Sequence, residues 1–235
     1  MEIDEYYKDI DRVFRLPRVW SNRELLKFAK LFKGDVANIS GWTDEDKEGA
    51  YYKDYFSNVS SYSITNYIEE ARGFQGKENE VFLDLTAELP NELINKFDVV
   101  FNHTVLEHIY EVNLAVKNLC SMTKDIAIVV VPFLQEMHAN YGDYWRFTPL
   151  AMKNLFNEND MKMIYCTFNS HPNASVYLFC IATKNESKWV NKIPFQISHE
   201  DPFPGGNHQN WVGCHAINTN SRKNLLSRFA DKFFK

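Results

Sequence analysis

Short apolar runs alternate with polar or amphipathic stretches along most of the chain. Seven runs have the length and the β-branched or aromatic composition of strands, at 35–39, 59–67, 80–84, 97–102, 125–131, 161–168 and 175–183. The fifth run contains an unbroken Ile-Ala-Ile-Val-Val-Val, which is typical of a strand buried on both faces. The last two runs lie within hairpin distance of each other, so they predict an antiparallel pair.

Helical periodicity occupies most of the intervals between these strands. It predicts helices at 21–32, 51–56, 106–122, 148–156 and 218–235. Ser21 has the chemistry of an N-cap for the first helix, and Gly34 is placed to end it. Thr148 and Pro149 are predicted as the N-cap and first turn of the fourth helix.

This alternation predicts an α/β fold with a doubly wound, seven-stranded, mostly parallel sheet, helices on both faces and an antiparallel closing hairpin. We divide the chain into an N-terminal helical segment at 1–33, an α/β domain at 34–184 and a C-terminal aromatic arm with a final helix at 185–235. The arm is interpreted as a lid over a ligand pocket or as a contact in a homodimer. The final helix is interpreted as a cap on the core, with a membrane-surface or partner-binding face as the alternative.

Composition and charge exclude several classes of function. The chain has 26 Lys and Arg against 31 Asp and Glu, so its net charge of −5 argues against a sequence-blind nucleic-acid binder. The longest apolar stretch, 126–134, is too short to span a bilayer, and the acidic N-terminus does not resemble a signal peptide. The four cysteines are scattered without a CxxC pair, so we expect a reducing, cytoplasmic location.

Ligands of doubly wound sheets bind at the carboxyl ends of the strands, where the strand order reverses. Polar residues follow several predicted strands at this edge: Asn38, Ser40, Asn66, Asp84, Asn102, His103, Glu107, His108, His138, Asp143 and Arg146. We therefore expect the functional site among these positions.

Two segments at this edge resemble a known enzyme family. The run at 97–109, Phe-Asp-Val-Val-Phe-Asn-His-Thr-Val-Leu-Glu-His-Ile, resembles the fourth-strand motif of class I S-adenosylmethionine-dependent methyltransferases. The run at 141–149, Tyr-Gly-Asp-Tyr-Trp-Arg-Phe-Thr-Pro, is similar to the loop and helix after the fifth strand in a subgroup of the type 11 enzymes that is linked to glycan and small-metabolite biosynthesis. The resemblance covers residues 34–183. It implies a Rossmann-like class I methyltransferase fold, S-adenosylmethionine as cofactor and a small-molecule acceptor.

The resemblance also implies which residues line the cofactor: Asn38, Ser40, Gly41, Asn66, Asp84, Leu85, Asn102 and His108. This part of the chain departs from the family pattern. Asn38 replaces the acidic residue of an Asp-x-Gly-x-Gly loop, and Ser40 and Trp42 replace its two glycines. Asn66 stands where a carboxylate usually accepts from both ribose hydroxyls, and an amide lacks the charge that makes this pairing strong. Asp84 is retained where family members contact the adenine amine.

O-methyl transfer needs a base near the acceptor hydroxyl, and histidine titrates near neutral pH. The predicted bases are therefore His138 and His103, although His138 has the alternative of a hydrogen bond within its own loop. His108 is predicted to orient that loop or to contact the cofactor rather than to act as a base.

The predicted acceptor-binding residues are Asp143, Tyr144 and Arg146. A saccharide or sugar-linked acceptor is expected, because aromatic side chains at a pocket mouth suit stacking on a sugar ring. The alternatives are an ion pair between Asp143 and Arg146 that fixes the loop, and simple packing of Tyr144.

No metal site is expected. The late histidines, His199, His208 and His215, match no closed set of ligand spacings. Two functional hypotheses follow: an S-adenosylmethionine-dependent O-methyltransferase, and a non-catalytic relative that has lost cofactor binding and acts as a binding or scaffold module. The departures at Asn38, Ser40, Trp42 and Asn66 favour the second hypothesis, whereas the intact acceptor side favours the first.

Overall fold

The structure is a computed structural model, and it describes residues 9–68, 73–139, 142–197, 212–213 and 216. The predicted final helix at 218–235 and most of the arm lie outside the described residues. The strands are β1 Asp35–Ile39, β2 Ser61–Asn66, β3 Glu80–Phe82, β4 Phe97–His103, β5 Thr123–Leu134, β6 Lys162–Phe168, β7 Val176–Thr183 and β8 Gln196–Ile197. The α-helices are α1 Arg15–Phe28, α2 Val112–Met122, α3 Pro149–Asn157 and α4 Glu186–Trp189.

The strands form one sheet in the order β3-β2-β1-β4-β5-β7-β6-β8. Strands β1 to β5 pair in parallel, while β7 runs antiparallel to both β5 and β6. All seven predicted strands are present, so the expected α/β class is confirmed. The predicted number of strands is wrong, because Gln196–Ile197 in the arm adds a short eighth strand parallel to β6.

Strand β5 carries the centre of the core. Its side chains alternate between the two faces of the sheet, and all of them between Ile126 and Val131 are buried. Ile126, Ile128 and Val130 pack with α1 on one face, whereas Ala127, Val129 and Val131 pack with α2 and α3 on the other. The unbroken β-branched run therefore reflects burial on both faces, as its pattern predicts.

Helix α1 begins earlier than its sequence predicts. The carboxylate of Asp11 accepts hydrogen bonds from the backbone N–H groups of Val13, Phe14 and Arg15, and this local turn starts the helix at Arg15. Ser21, which we predicted as the N-cap, lies inside the helix, where its hydroxyl donates to the carbonyl of Arg18. The prediction is wrong because burial of the earlier Leu16 and Val19 against the sheet extends the helix towards the N-terminus.

The other helix starts follow the sequence more closely. Thr148 caps α3 by accepting from the backbone N–H of Ala151, with Pro149 in the first turn, as predicted. The predicted helix at 106–122 is divided into a 3₁₀ turn at Leu106–His108 and α2. This break matters because it turns Glu107 and His108 towards the carboxyl edge of the sheet instead of leaving them on a helix surface. Of the helices in the described residues, none is both long and apolar enough to cross a membrane.

The beginning of the C-terminal arm is anchored to the α/β core. Trp189 is 4% exposed, and its indole N–H donates to the carboxylate of Asp125 at 3.0 Å. The same carboxylate accepts from the Thr183 hydroxyl at 2.6 Å and from the Lys188 ammonium at 2.6 Å. Trp189 and Ile193 thus pack on the face of the sheet that α1 also covers. Ile197 and Val212 pack instead against the core on the opposite face.

Replacing Asp125 with alanine is expected to lower the free energy of unfolding by about 2 kcal/mol, because the variant leaves the buried Trp189 and Thr183 donors without an acceptor. Urea unfolding of the full chain measures the change. Lys188→Ala is the matched control: it removes only the half-exposed partner and is expected to cost less than about 1 kcal/mol. Equal losses in the two variants would contradict the anchoring role of Asp125.

Candidate functional site

The carboxyl ends of β1 and β4 meet at Asn102. The Asn102 amide donates to the carbonyl of Ile39 at 3.0 Å, which ties the two neighbouring strand ends together. Its other polar atom, Oδ1, is buried and has no hydrogen-bond partner among the described residues. A buried acceptor without a partner is costly, so this atom marks a place where an external donor would be favourable.

In the loop after β1, two residues other than glycine adopt backbone conformations that glycine usually adopts. Ser40 and Trp42 have φ angles of 58° and 48°, in the left-handed region that glycine adopts most easily. At Gly41 a side chain is excluded for another reason, because a Cβ there would lie 2.5 Å from the Asn38 amide. The two non-glycine residues therefore hold a strained conformation in the loop after β1.

A buried carboxylate, Asp44, holds this loop. It accepts hydrogen bonds from the Asn38 amide at 2.8 Å, the Tyr62 hydroxyl at 2.6 Å and the backbone N–H of Lys53 at 2.9 Å. Burial raises the pKa of Asp44 from its ordinary value, and these hydrogen bonds oppose the rise. Asn38, predicted to contact the cofactor, is thus buried and directed towards Asp44.

Asn66 at the end of β2 forms hydrogen bonds to the same loop. Its Oδ1 accepts from the backbone N–H of Trp42 at 2.7 Å, and its Nδ2 donates to the Trp42 carbonyl at 3.1 Å and to Glu80 at 2.6 Å. Both N–H donors of the amide are therefore engaged within the protein. The Trp42 side chain, in contrast, is 43% exposed.

Asp84 and Leu85 follow β3. One oxygen of the half-buried Asp84 carboxylate accepts from both the backbone N–H and the hydroxyl of Thr86, each at 2.7 Å. The second oxygen has no hydrogen-bond partner within the described part of the chain and remains able to accept from a ligand. Leu85 is buried, and its carbonyl accepts from the Asn118 amide.

His103 ends β4 and lies against α1. Its Nε2 is 2.7 Å from the Ser21 hydroxyl, and its Nδ1 is 3.2 Å from the Thr104 hydroxyl. Because Ser21 donates its proton to the Arg18 carbonyl, the serine oxygen must accept from His103 Nε2–H, which leaves Nδ1 as the basic nitrogen. Burial, together with the positive charge of Arg18, holds the pKa of His103 well below its ordinary value, so the imidazole is neutral at pH 7.

Glu107, His108 and His138 come together at the ends of β4 and β5. One potential ligand atom from each residue lies within 4.8 Å of those of the other two. Glu107 is fully buried, and neither of its carboxylate oxygens has a hydrogen-bond partner among the residues described. Burial raises the pKa of Glu107 to about 8. His108 Nδ1 lies 2.6 Å from the carbonyl oxygen of Gly142. Because a carbonyl oxygen can only accept a hydrogen bond, Nδ1 carries the proton and donates it.

Asp143 and Arg146 form a closed ion pair in the loop after β5. The Arg146 guanidinium donates to both oxygens of the buried Asp143 carboxylate, at 2.5 and 2.8 Å. Its remaining N–H groups donate to three backbone carbonyls, of Gln135, Glu136 and Trp145. The guanidinium of Arg146 lowers the pKa of Asp143 to about 2. These contacts agree with the alternative to acceptor binding that the sequence left open, in which an ion pair between Asp143 and Arg146 fixes the loop.

The same ion pair positions His138. The backbone N–H of His138 donates to Asp143 at 2.7 Å, and the ring Nδ1 lies 3.4 Å from the same carboxylate oxygen. The side chain of His138 is 15% exposed and its ring packs edge-on to that of His108, with centroids 5.2 Å apart. The predicted acceptor-side residues Asp143, Arg146 and His138 are therefore neighbours.

Exposed aromatic rings lie beside this cluster. Tyr144 is 53% exposed and packs edge-on to Tyr110, while Trp145 stacks on Tyr110 and donates from its indole N–H to the carbonyl of Ile109. The backbone N–H of Tyr144 donates to the carbonyl of Glu107, which joins the aromatic loop to the 3₁₀ turn. The result is an accessible surface of three rings next to ionisable groups.

Sequence reasoning assigned no role to Glu107 or to Arg18. Glu107 lies inside the Leu-Glu-His motif, and its signal was an acidic residue directly before His108, in the first turn of the predicted helix at 106–122. Arg18 gave no signal, because only the packing of α1 brings its charge close enough to lower the pKa values of His103 and Glu107.

Comparisons with known proteins show the fold. No family model matches the chain, and no curated protein matches it. A solved structure of a methyltransferase of Bacillus halodurans C-125, titled as putative, is 12% identical, covers 69% of this chain and 97% of its own, and has a TM-score of 0.52. The 1,6-didemethyltoxoflavin-N1-methyltransferase of Burkholderia thailandensis, solved with 1,6-didemethyltoxoflavin and S-adenosylhomocysteine, is 16% identical, covers 77% of this chain and 81% of its own, and has a TM-score of 0.51. The chain therefore has the class I methyltransferase fold, as the resemblance implied.

Removing the Asp44 carboxylate is expected to disorganise the loop after β1. Asp44→Ala leaves the buried Tyr62 hydroxyl and Asn38 amide without their acceptor, so we expect a loss of at least about 2 kcal/mol in the free energy of unfolding. Urea unfolding measures this loss. The matched control is Asp54→Ala at an exposed position near the same loop, which is expected to change stability by less than about 0.5 kcal/mol.

Proposed function

We propose that this chain is an S-adenosylmethionine-dependent methyltransferase that acts on a hydroxyl of a small polar acceptor. The observation that carries the proposal is the strand order β3-β2-β1-β4-β5-β7-β6 with an antiparallel β7, combined with polar side chains at the carboxyl edge of β1 to β5. Open α/β sheets bind their ligands at this edge. The toxoflavin methyltransferase with this fold was solved with S-adenosylhomocysteine, which supports the same cofactor here.

The residues proposed to hold the cofactor are Asn38, Ser40, Gly41, Asn66, Asp84, Leu85, Asn102 and His108. Two observations support a fit: the buried Asn102 Oδ1 lacks a donor, and one oxygen of Asp84 is available to accept from an amine. The left-handed backbone at Ser40 and Trp42 also preserves the loop shape that glycines give elsewhere. When bound, S-adenosylmethionine supplies an electrophilic methyl group on a sulfonium sulfur.

On the acceptor side the chain must bind a hydroxyl compound and remove a proton. Exposed Tyr144 and the stacked Tyr110 and Trp145 offer faces for a sugar ring, which supports a saccharide or sugar-linked acceptor. The proposed proton acceptors are His138 and His103. Asp143 and Arg146 position His138 through its backbone N–H. His103 is unprotonated at pH 7, although the burial that lowers its pKa also weakens it as a base.

A second candidate is the non-catalytic binding or scaffold module. The observation that favours it is the closed pair between Asn66 and the backbone of Trp42, which engages both donors of the amide at the position where a ribose would be recognised. A protein of this kind would keep the fold without binding the cofactor.

Titration calorimetry with S-adenosylhomocysteine tests the two candidates. We expect micromolar binding to the full chain and at least tenfold weaker binding to Asp84→Ala, because this variant removes the proposed acceptor for the adenine amine. Glu88→Ala, at an exposed position close to Asp84, is the matched control and is expected to bind like the unaltered chain. An absence of heat up to millimolar ligand with a folded protein would refute the methyltransferase proposal and leave the binding module.

The proton acceptor is identified by comparing His103→Asn and His138→Asn. Loss of a general base is expected to lower kcat by about 100-fold or more while leaving the affinity for S-adenosylhomocysteine unchanged. Turnover is measured as transfer of labelled methyl from S-adenosylmethionine to a set of mono- and disaccharides. His171→Asn is the control. If both variants retain the kcat of the unaltered chain, the assignment of the base is wrong.

A further inference from the structure

We propose that Glu107, His108 and His138 form a binding site for one divalent transition-metal ion. The three side chains come from the turn after β4 and the loop after β5, so the fold alone brings together residues that are thirty positions apart in the chain. This site does not involve the late histidines of the arm, and it departs from the sequence analysis, which expected no metal site in the chain.

The spacing of the ligand atoms suits a single ion. Transition-metal bonds to nitrogen and oxygen are about 2.0–2.2 Å long, so neighbouring ligand atoms lie about 3–4 Å apart around the ion. His108 Nε2 and Glu107 Oε1 are 3.7 Å apart and meet this requirement as they stand. His138 completes a set whose atoms all lie within 4.8 Å of one another, so binding of one ion requires its ring to move closer to the other two ligands.

Outer contacts orient both imidazoles in the way that metal sites require. His108 Nδ1 is 2.6 Å from the Gly142 carbonyl, which fixes the proton on Nδ1 and presents the lone pair of Nε2 towards Glu107. The ring Nδ1 of His138 lies 3.4 Å from the Asp143 carboxylate, which Arg146 fixes, and 3.4 Å from the carbonyl of Glu136. A proton on Nδ1 therefore leaves the lone pair of this ring on Nε2. The protein therefore supplies the second layer of contacts that normally supports metal-bound histidines.

The strongest indication is the Glu107 carboxylate. It is completely buried, and both of its oxygens lack hydrogen-bond partners among the described residues. A buried carboxylate without partners is costly, and such groups are normally paired or bound to a metal. A cation between Glu107 and the two imidazoles would satisfy this group.

Two positive charges face the cluster and oppose cation binding. Arg18 and Arg146 both lower the pKa of Glu107 through their charges. Arg146 is neutralised by its two hydrogen bonds to Asp143, so Arg18 is the main opposing charge. The attraction between a divalent ion and its directly bound carboxylate and imidazole ligands is stronger than the repulsion between that ion and the Arg18 guanidinium. This is because the ligands lie at bonding distance, whereas the guanidinium does not contact Glu107.

The donor set selects the class of ion. Two imidazoles and one carboxylate suit first-row transition ions such as Zn²⁺, Co²⁺, Fe²⁺ or Mn²⁺, whereas Mg²⁺ and Ca²⁺ prefer oxygen ligands alone. Three protein ligands leave at least one coordination position for an external oxygen. If the proposed function holds, that oxygen belongs to the acceptor, beside the rings of Tyr144 and Trp145. His138 would then serve as a ligand, and His103 would remain as the proton acceptor.

Cobalt titration of the full-length, tag-free and metal-stripped protein tests this site. Bound Co²⁺ has a visible absorption that reports nitrogen and oxygen coordination, and we expect saturation at one ion per chain, with no competition from Mg²⁺ at equal concentration. Glu107→Gln and His138→Gln are each expected to weaken Co²⁺ binding at least tenfold. The matched control, His171→Gln, changes a histidine outside the cluster and is expected to bind Co²⁺ normally.

Other outcomes would overturn the proposal. Failure of the folded protein to bind Co²⁺ up to millimolar concentration would do so, as would normal binding by the His138→Gln variant. Loss of binding on replacing His199, His208 and His215 together would assign the ion to the arm instead. Near-ultraviolet circular dichroism confirms that each variant is folded. Because Co²⁺ binding is measured without S-adenosylhomocysteine, its result is independent of whether the proposed methyltransferase activity is correct.

Discussion

Burial of β5 on both faces is the constraint on which the rest of the structure depends. Between Ile126 and Val131 every side chain is removed from water, so the strand requires a layer on each side and a neighbour on each edge. β4 supplies a parallel neighbour and β7 an antiparallel one, and α1, α2 and α3 supply the two layers. Because β4 pairs with β5, the carboxyl ends of these two strands lie side by side. This brings the 3₁₀ turn at Leu106–His108 next to the loop that carries His138 and Asp143.

At the carboxyl edge, buried carboxylates fix the loops. Asp44 and Asp143 each accept several hydrogen bonds from side chains and backbone, and each organises one of the two loops around the candidate site. The loop after β1 is thereby held in a left-handed conformation that Ser40 and Trp42 would not adopt readily alone. Glu107 differs from these carboxylates because neither of its buried oxygens has a hydrogen-bond partner among the residues that the structure describes.

The two halves of the carboxyl edge differ in how their polar side chains are engaged. On the β1 and β2 side, Asn38 and Asn66 direct their amides to partners within the protein, whereas the Asn102 oxygen has no hydrogen-bond partner among the described residues. On the β4 and β5 side, the polar residues form a connected set from Arg146 through Asp143 and His138 to His108. This second half therefore holds the larger connected set of polar side chains.

The sequence by itself determined the seven main strands, the cap of α3 and the edge at which function is expected, because these follow from local periodicity and capping. It also indicated most of the polar residues at the edge. It did not determine the start of α1, the short β8 or the partners of individual side chains, since these depend on contacts between distant segments. Arg18 approaches His103 only because α1 packs on the sheet, and Glu107 loses its contact with water only because the neighbouring loops cover it. Tertiary structure decided these matters, because burial and charge proximity are properties of the assembled fold.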